Sequence, residues 1–313
     1  MGVSIQSIVI GVIRLLRTGN LILLCGAILL VRHTLTLPIL EVYGTTSLLP
    51  EWSFSLLMAA IVLTAASGYV INNIMDQESD AINQKNTGMD SISPKAANLL
   101  YGFLFVSAIL CAFISTKGDY GSMAFIVTAV SCGLLYFYAV DYKRIPLLGN
   151  VIVASLTCLA ITLPVICDAA AYTNEAVKLF IMGYGAFAFL ITLIREIIKD
   201  CEDITGDSAI GAKTLPILVG TNVASMLCGI LTLMIFASIG YIQYMTTQWD
   251  DIISFGYVSL FIQLPLLVLS VMLFRTSSPS NFHTQSVIAK LIMVTGVLSM
   301  AVFYLSIRGV SWS

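Results

Sequence analysis

The chain alternates long apolar runs with short polar clusters. Each run contains about 20 residues, which as a helix is long enough to cross the hydrocarbon core of a bilayer. We therefore predict nine membrane-spanning helices. Their expected bounds are residues 20–39, 53–72, 97–116, 122–140, 147–167, 177–195, 219–241, 253–274 and 287–307.

The N-terminal segment has a different pattern. Ile5, Ile8 and Val12 recur at helical spacing, and basic residues follow them. This pattern is typical of an amphipathic helix that lies in the membrane interface. We expect residues 1–313 to form one integral membrane domain that begins with an interfacial helix over residues 1–18.

Two of the polar connections, residues 73–96 and 196–218, are longer than the others and rich in carboxylates. The basic residues predict which side they face, because cytoplasmic loops carry an excess of Lys and Arg. Eleven of the 15 Lys and Arg residues fall on the side of the N-terminus. We therefore expect a cytoplasmic N-terminus, an external C-terminus, and both acidic loops on the cytoplasmic face of the cell membrane.

The composition narrows the class of partner. With 58% hydrophobic and only 10% charged residues, the chain departs from soluble proteins, which carry about 25% charged residues. Its mean hydropathy is +0.95. The net charge of −2 leaves no basic surface for nucleic acid, so we expect the bilayer and lipid-like molecules as partners. The seven cysteines have no metal-ligand spacing and are expected to be small apolar core residues.

Two acidic motifs stand at the ends of predicted spans two and six. In each, three polar residues recur at helical spacing, so we expect each set to line one face of a helix. The two sets are Asn72, Asp76 and Asp80, and Asp200, Asp203 and Asp207. Glu78 and Glu202 fall at other helical phases and are expected to be solvated. Oxygen ligands without His or Cys favour Mg²⁺, which shares its coordination sphere with water and substrate phosphates.

Two such clusters at the mouth of an apolar bundle predict a Mg²⁺-bound diphosphate whose hydrocarbon tail lies within the membrane. The expected reaction is departure of pyrophosphate, assisted by Asp76, Asp80, Asp203 and Asp207, which leaves an allylic carbocation. Aromatic side chains could shield this cation through cation–π attraction. The candidates are Tyr69, Tyr136, Tyr138 and Tyr184.

These motifs resemble those of a known family. The sequences N-x-x-x-D-x-x-x-D at 72–80 and K-D-x-x-D-x-x-G-D at 199–207 resemble the two aspartate-rich motifs of the UbiA superfamily of intramembrane prenyltransferases. R-T-G-N at 17–20 and K-R-I-P-L-L-G-N at 143–150 resemble two further family segments. The resemblance implies an all-α bundle of nine membrane helices that binds Mg²⁺ and a prenyl diphosphate through the six motif residues. It also implies substrate contacts for Lys143, Lys199, Asn20 and Asn150.

Within the family, R-E-I-I-K-D at 195–200 is most similar to the geranylgeranylglyceryl-phosphate geranylgeranyltransferase branch. Arg195 could bind an acceptor phosphate with two hydrogen bonds, or it could form a salt bridge with a motif aspartate. The loop after Asp80 departs from the family pattern, because it lacks two prolines and an arginine. Lys85 could supply the missing charge.

Three functions agree with these features to different degrees. The leading one is prenyl transfer to a hydrophobic acceptor, such as a prenylglyceryl phosphate or an aromatic compound. A terpene cyclase, which needs no acceptor, would begin with the same ionisation. A transporter is disfavoured, because transporters place ionisable residues near the middle of the membrane, whereas Arg32, His33 and His283 are expected at the interface.

Overall fold

All regular structure in the described part of the chain is helical. The computed structural model describes residues 5–115, 121–246, 251–275 and 279–310. The α-helices are α1 (Ile5–Leu15), α2 (Thr18–Leu30), α3 (Leu37–Val42), α4 (Glu51–Met75), α5 (Gln77–Ile82), α6 (Pro94–Ser115), α7 (Gly121–Val140), α8 (Leu148–Ile166), α9 (Ala169–Thr173), α10 (Glu175–Glu202), α11 (Ile204–Ala209), α12 (Leu215–Val219), α13 (Thr221–Thr246), α14 (Ile252–Val258), α15 (Leu264–Arg275) and α16 (Pro279–Val310).

Nine helical stretches within these ranges are long and apolar enough to cross a membrane. The first combines α2, a π-helical segment and α3, and the eighth combines α14, a second π-helical segment and α15. Large apolar side chains such as Leu99, Phe103 and Leu179 are exposed on the outside of the bundle, as expected of a lipid-facing surface. The nine predicted spans are confirmed, and the chain is a multi-pass integral membrane protein.

Helices α4 and α10, which lead into the acidic motifs, each pack against several other helices. Helix α4 packs against α6 and α7, and α10 packs against α8, α13 and α16. Helix α2 contacts α4, α8 and α16. Side chains such as Val70 on α4 and Ile194 on α10 are fully buried. Because neighbours hold both helices on several sides, their ends are fixed relative to each other.

Two prolines account for the two π-helical segments. Pro38 and Pro265 each lie two residues after the end of a π-helical segment, at the second residue of α3 and of α15. Proline has no N–H, and its ring clashes with the carbonyl four residues earlier, so the helix must widen or kink there. In the second case that carbonyl belongs to Phe261, and the Thr295 hydroxyl donates a 2.8 Å hydrogen bond to it. The neighbouring helix thus satisfies a group that the proline leaves unpaired.

Arg32 is buried among protein groups. Its side chain, which was expected at the membrane interface, is only 4% exposed. The guanidinium donates to Glu51 Oε1 at 2.6 Å and to the Leu49 carbonyl at 2.8 Å, and it lies 4.5 Å from the Phe54 ring centroid. A buried cation is stable only with such partners. Arg32 is therefore enclosed by protein groups where the second span begins.

The same end of the bundle contains a second buried charge. Asp168 is 1% exposed and caps α9 through the Ala171 N–H. It also accepts hydrogen bonds from the Ser47 hydroxyl at 2.5 Å and from the Leu48 N–H at 3.0 Å. One carboxylate thus joins the α3–α4 connection to the α8–α10 connection.

His283 and Glu202 also differ from the predictions. His283 lies in the first turns of α16 rather than in a loop, and its Nδ1 is 2.8 Å from Glu202 Oε1. Glu202 is thus paired with this histidine instead of being simply solvated, whereas Glu78 is exposed as expected. The contact ties the end of α10 to the beginning of the last span.

The predicted N-terminal helix corresponds to α1, while residues 1–4 lie outside the described part of the chain. Leu15 is fully buried, whereas Ile8 and Ile13 are exposed. The helix contacts the loop that follows the first acidic motif, because Gly11 packs directly on Gly88. A Cβ atom on Gly88 would collide with the backbone of Gly11. Glycine therefore permits close contact between α1 and this loop.

Candidate active site

Both acidic motifs interrupt their helices at an aspartate. Asp76 ends α4 with φ −92° and ψ 3°, and Asp203 ends α10 with φ −91° and ψ 2°. The helical spacing predicted for each motif is therefore interrupted by a bend. The short helices α5 and α11 follow, and each leads to a residue with positive φ, Gln84 in one motif and Gly211 in the other. The bend turns the second half of each motif back over the bundle, where α5 and α11 contact each other.

Gly206 lies where these two short helices meet. Its N–H donates to Asn83 Oδ1 at 3.1 Å, and Asn83 Nδ2 donates to the Asp203 carbonyl at 3.3 Å. The Ser79 hydroxyl donates to Asp207 Oδ1 at 3.4 Å. A Cβ atom on Gly206 would lie 2.8 Å from the Ser79 carbonyl oxygen and would collide with the Asn83 amide. The contact therefore requires glycine at this position.

The two motifs surround a polar recess of about 70 Å³. All six predicted metal-binding residues line it, together with Lys143, Lys199 and Tyr138 from the predicted substrate-binding set. The other lining residues are Arg17, Ser79, Lys85, Arg144, Glu196, Ile210 and Ala212. The recess thus combines five aspartates with several cations.

Lysines pair with the motif aspartates across the recess. Lys143 forms an ion pair with Asp76, and Lys85 forms one with Asp203 while lying 4.0 Å from Asp80. Lys85, which the sequence suggested as a replacement for the missing arginine, therefore bridges the two motifs. Asn72 donates a 2.6 Å hydrogen bond to Asp76, and among the described residues its buried Oδ1 has no hydrogen-bond partner.

Burial and mutual repulsion raise the pKa values of two motif carboxyls. The pKa of Asp207 rises to about 6, mainly because of burial and then because of the charges of Asp203 and Asp76, with Lys85 opposing. Burial and the charge of Asp76 also raise the pKa of Asp80. A bound divalent cation would favour the ionised form of both groups.

The donor set fits Mg²⁺. In the described ranges, no three Asp, Glu, His or Cys side chains are grouped closely enough to hold a metal ion on their own. Mg²⁺ typically takes one or two carboxylates and completes its octahedron with water and substrate phosphates. Oxygens of Asn72, Asp76 and Asp80 on one side and of Asp203 and Asp207 on the other offer this kind of shared site, and the unpaired Asn72 Oδ1 is a further donor.

The recess adjoins a larger apolar cavity of about 260 Å³ inside the bundle. Five residues line both spaces: Arg17, Asn72, Tyr138, Glu196 and Lys199. Beyond them the cavity wall is mostly apolar, with side chains such as Leu24, Ile61, Leu135, Phe187 and Met300. The site is therefore amphipathic, with a charged end and an apolar end.

Three of the four tyrosines proposed to shield a carbocation line this cavity. They are Tyr69, Tyr138 and Tyr184. Arg17 lies 5.3 Å from the Tyr69 ring centroid, and the Tyr184 hydroxyl is 2.9 Å from that of Ser299. Tyr136 lines neither space, because it is 40% exposed on the outside of α7 and packs against Phe137. The structure does not bring Tyr136 to the site.

The remaining predicted residues lie around the junction of the two spaces. Asn20 and Arg195 line the apolar cavity. Asn150 lines neither space and donates a 2.8 Å hydrogen bond to Asp200, so it positions that carboxylate. Arg195 donates to Glu196 Oε1 at 2.9 Å rather than to a motif aspartate.

Three residues without a role predicted from the sequence also line the cavity, namely Arg17, Glu196 and Lys290. For Glu196 a signal was available, since it precedes Asp200 by four residues and so falls on the same helical face. For Lys290 the signal was a lone cation inside the last apolar run. Neither signal shows that spans six and nine meet.

Comparison with known proteins agrees with this architecture. A profile described as the UbiA prenyltransferase family matches residues 33–284. A digeranylgeranylglyceryl phosphate synthase of Methanoculleus marisnigri is 36% identical over 171 residues, which cover 54% of this chain and 58% of the relative. The chain thus spans about three fifths of the length of the curated relatives it matches.

Solved structures share the fold at low sequence identity. A structure described as that of a digeranylgeranylglyceryl phosphate synthase superposes with a TM-score of 0.62 and 19% identity, covering 94% of this chain and 98% of the other. A UbiA homologue from Archaeoglobus fulgidus bound to GPP and Mg²⁺ has a TM-score of 0.54 and 15% identity, with coverage of 93% and 99%. Over nearly the whole chain, the likeness establishes the fold.

Proposed function

The chain belongs to the UbiA prenyltransferase family, and we propose that it transfers a prenyl group from a prenyl diphosphate to the hydroxyl group of a prenylglyceryl phosphate, with Mg²⁺ as cofactor. The observation that carries this proposal is the junction between the carboxylate recess and the apolar cavity. A prenyl diphosphate has the same two-part character, since a highly charged group is attached to a long hydrocarbon.

The diphosphate would occupy the recess, held by cations of the chain and by the metal. Lys85, Lys143 and Arg144 line the recess but not the apolar cavity, so all three would lie beside the diphosphate. Lys85 and Lys143, which pair with Asp203 and Asp76, would be released to it where Mg²⁺ is held by these aspartates. Mg²⁺, held by oxygens of the two aspartate motifs, would neutralise charge that develops on the leaving group. Fixed cations in a buried site also stabilise that charge without solvent reorganisation.

The reaction exchanges one carbon–oxygen bond for another. The bond between C1 of the prenyl chain and the diphosphate oxygen breaks, and the electron pair leaves with pyrophosphate. The acceptor hydroxyl oxygen forms the new bond to C1, and its proton passes to the released pyrophosphate. Tyr69 and Tyr138 lie at the junction, where an aromatic face would stabilise the allylic cation.

The acceptor assignment has two supports. The curated relatives are named digeranylgeranylglyceryl phosphate synthases. Arg195 lines the apolar cavity beside the junction, and its buried Nε has no hydrogen-bond partner among the described residues. A guanidinium in this position suits a phosphate-bearing acceptor better than an uncharged one.

We also propose that the recess opens on the cytoplasmic side of the cell membrane. The excess of basic residues on the side of the N-terminus supports this orientation. Cysteines introduced at Glu78, beside the recess, and at Glu175, at the opposite end of α10, would react with an impermeant reagent from opposite faces. Labelling of both from the same face would contradict the assignment.

A product assay tests the function. Purified protein in detergent with Mg²⁺ and labelled geranylgeranyl diphosphate is incubated without acceptor, with geranylgeranylglyceryl phosphate, or with an aromatic acid. We expect a new ether only with the glyceryl phosphate, and none after removal of Mg²⁺ with a chelator. A hydrocarbon or alcohol of new mass formed without acceptor would instead indicate a cyclase.

A further inference from the structure

The cations of the site form two groups that face different spaces. Lys85, Lys143 and Arg144 line only the recess that contains the aspartates. Arg195 and Lys290 line only the apolar cavity, and Arg17 and Lys199 border both. The aspartate motifs do not account for Arg195 and Lys290, because neither residue lines the recess that contains the aspartates.

The charges around Lys290 are unbalanced. Lys290 forms no ion pair or hydrogen bond with the residues that the structure describes, and it shares the cavity wall with the guanidiniums of Arg195 and Arg17. Arg195 has one carboxylate partner, Glu196, which Lys199 also approaches at 3.8 Å. Glu196 is thus shared by two cations, whereas Lys290 on the same cavity wall has no carboxylate partner among the described residues.

This arrangement of cations is unfavourable when no anion is bound. Like charges held near each other in a partly buried, apolar setting repel strongly, because water does not screen them fully. A dianionic group placed among them would turn this repulsion into attraction. Phosphate suits the arrangement because an arginine offers it two parallel donors and a lysine ammonium supplies a further point charge.

From the separation of the two groups we infer that Arg195 and Lys290 form a second anion site, which binds the phosphate of the acceptor and leaves its hydroxyl facing the junction. The inference rests on the proposed function. Because Arg195 belongs to α10 and Lys290 to α16, the site would also join the motif-bearing helix to the last span. Lys290 is thus assigned as a specificity-determining residue for acceptors that carry a phosphate.

The experiment compares two acceptors that differ only in this group, geranylgeranylglyceryl phosphate and geranylgeranylglycerol. In Lys290→Met, we expect the KM for the phosphorylated acceptor to rise about 10- to 100-fold, the usual effect of losing one charge-assisted contact. The KM for the prenyl diphosphate and the rate with the alcohol should change little. Lys290→Arg should restore most of the preference, since it keeps the charge.

Lys178→Met is the matched control, because Lys178 lies at the other end of α10 and pairs with Glu175 on the surface. Thermal unfolding in detergent establishes that each variant is folded. An equal loss with both acceptors, an increase in the donor KM, or an unchanged acceptor preference in Lys290→Met would overturn the second site. If the unmodified protein transfers to neither acceptor, it is the proposed function that fails.

Discussion

The contact between α5 and α11 gives the sharpest prediction, because a single methyl group tests it. In Gly206→Ala, the new Cβ would lie 2.8 Å from the Ser79 carbonyl oxygen, whereas ordinary van der Waals contact begins at about 3.4 Å. The Ser79 carbonyl belongs to the backbone and cannot rotate away. The two short helices must therefore move apart by about 0.6 Å, and they carry Asp80 and Asp207 with them.

The expected cost falls on both stability and turnover. Overpacking of a close contact typically destabilises a protein by about 1–3 kcal/mol. A separation of about 0.6 Å exceeds the ~0.5 Å within which a catalytic constellation must be held. We expect kcat to fall about 10- to 100-fold, since a displacement of about 1 Å can cost 100-fold.

The assay is steady-state prenyl transfer at saturating Mg²⁺, combined with thermal unfolding in detergent. Gly183→Ala serves as the control, because Gly183 also lies on α10 and a Cβ atom there would meet nothing within 4 Å. Asn83→Ala separates the loss of hydrogen bonds from the effect of added volume. It removes the hydrogen bonds to Gly206 and Asp203 but adds no atoms. Full activity and an unchanged unfolding temperature in Gly206→Ala would refute the argument from close contact.

Three further predictions concern single side chains. Asp76→Ala or Asp203→Ala should abolish turnover and leave the unfolding temperature nearly unchanged, and Glu78→Ala, at an exposed position, is the control. Retained activity at saturating Mg²⁺ would disprove the metal assignment. Asp168→Ala should lower the free energy of unfolding by about 2–3 kcal/mol, because two N–H groups and a hydroxyl lose their acceptor, and an unaltered denaturation midpoint would contradict this. Thr295→Val should cost about 1 kcal/mol, since the carbonyl freed by the second proline loses its donor; equal stability would indicate another donor.

The spans could be predicted from the sequence because the bilayer imposes the same requirement on every span. Every backbone polar group must be satisfied within a span, so a long apolar run leads to a helix with little dependence on its neighbours. The motif residues could be recognised for a similar reason. Spacing alone places Asn72, Asp76 and Asp80 near one another in a helix or in a bent one.

The interruptions and partners could not be predicted, because they depend on contacts between distant segments. The break at Asp203 reflects the packing of α11 on α5, and spacing within one motif does not report it. The burial of Arg32 depends on Glu51, which belongs to another span, so the sequence around Arg32 does not report it. Lys290 and Arg195 are 95 residues apart in the sequence, so their common cavity appears only in the folded bundle.

The breaks at Asp76 and Asp203 have a mechanical consequence. Long membrane helices tilt when bilayer thickness changes, and a carboxylate at the tip of a rigid rod would move with the tilt. Here each rod ends before the second half of its motif, in a backbone conformation between the main allowed regions. The two short helices contact each other through Gly206. We therefore expect the spacing between Asp80 and Asp207 to depend on this contact more than on the tilt of α4 and α10.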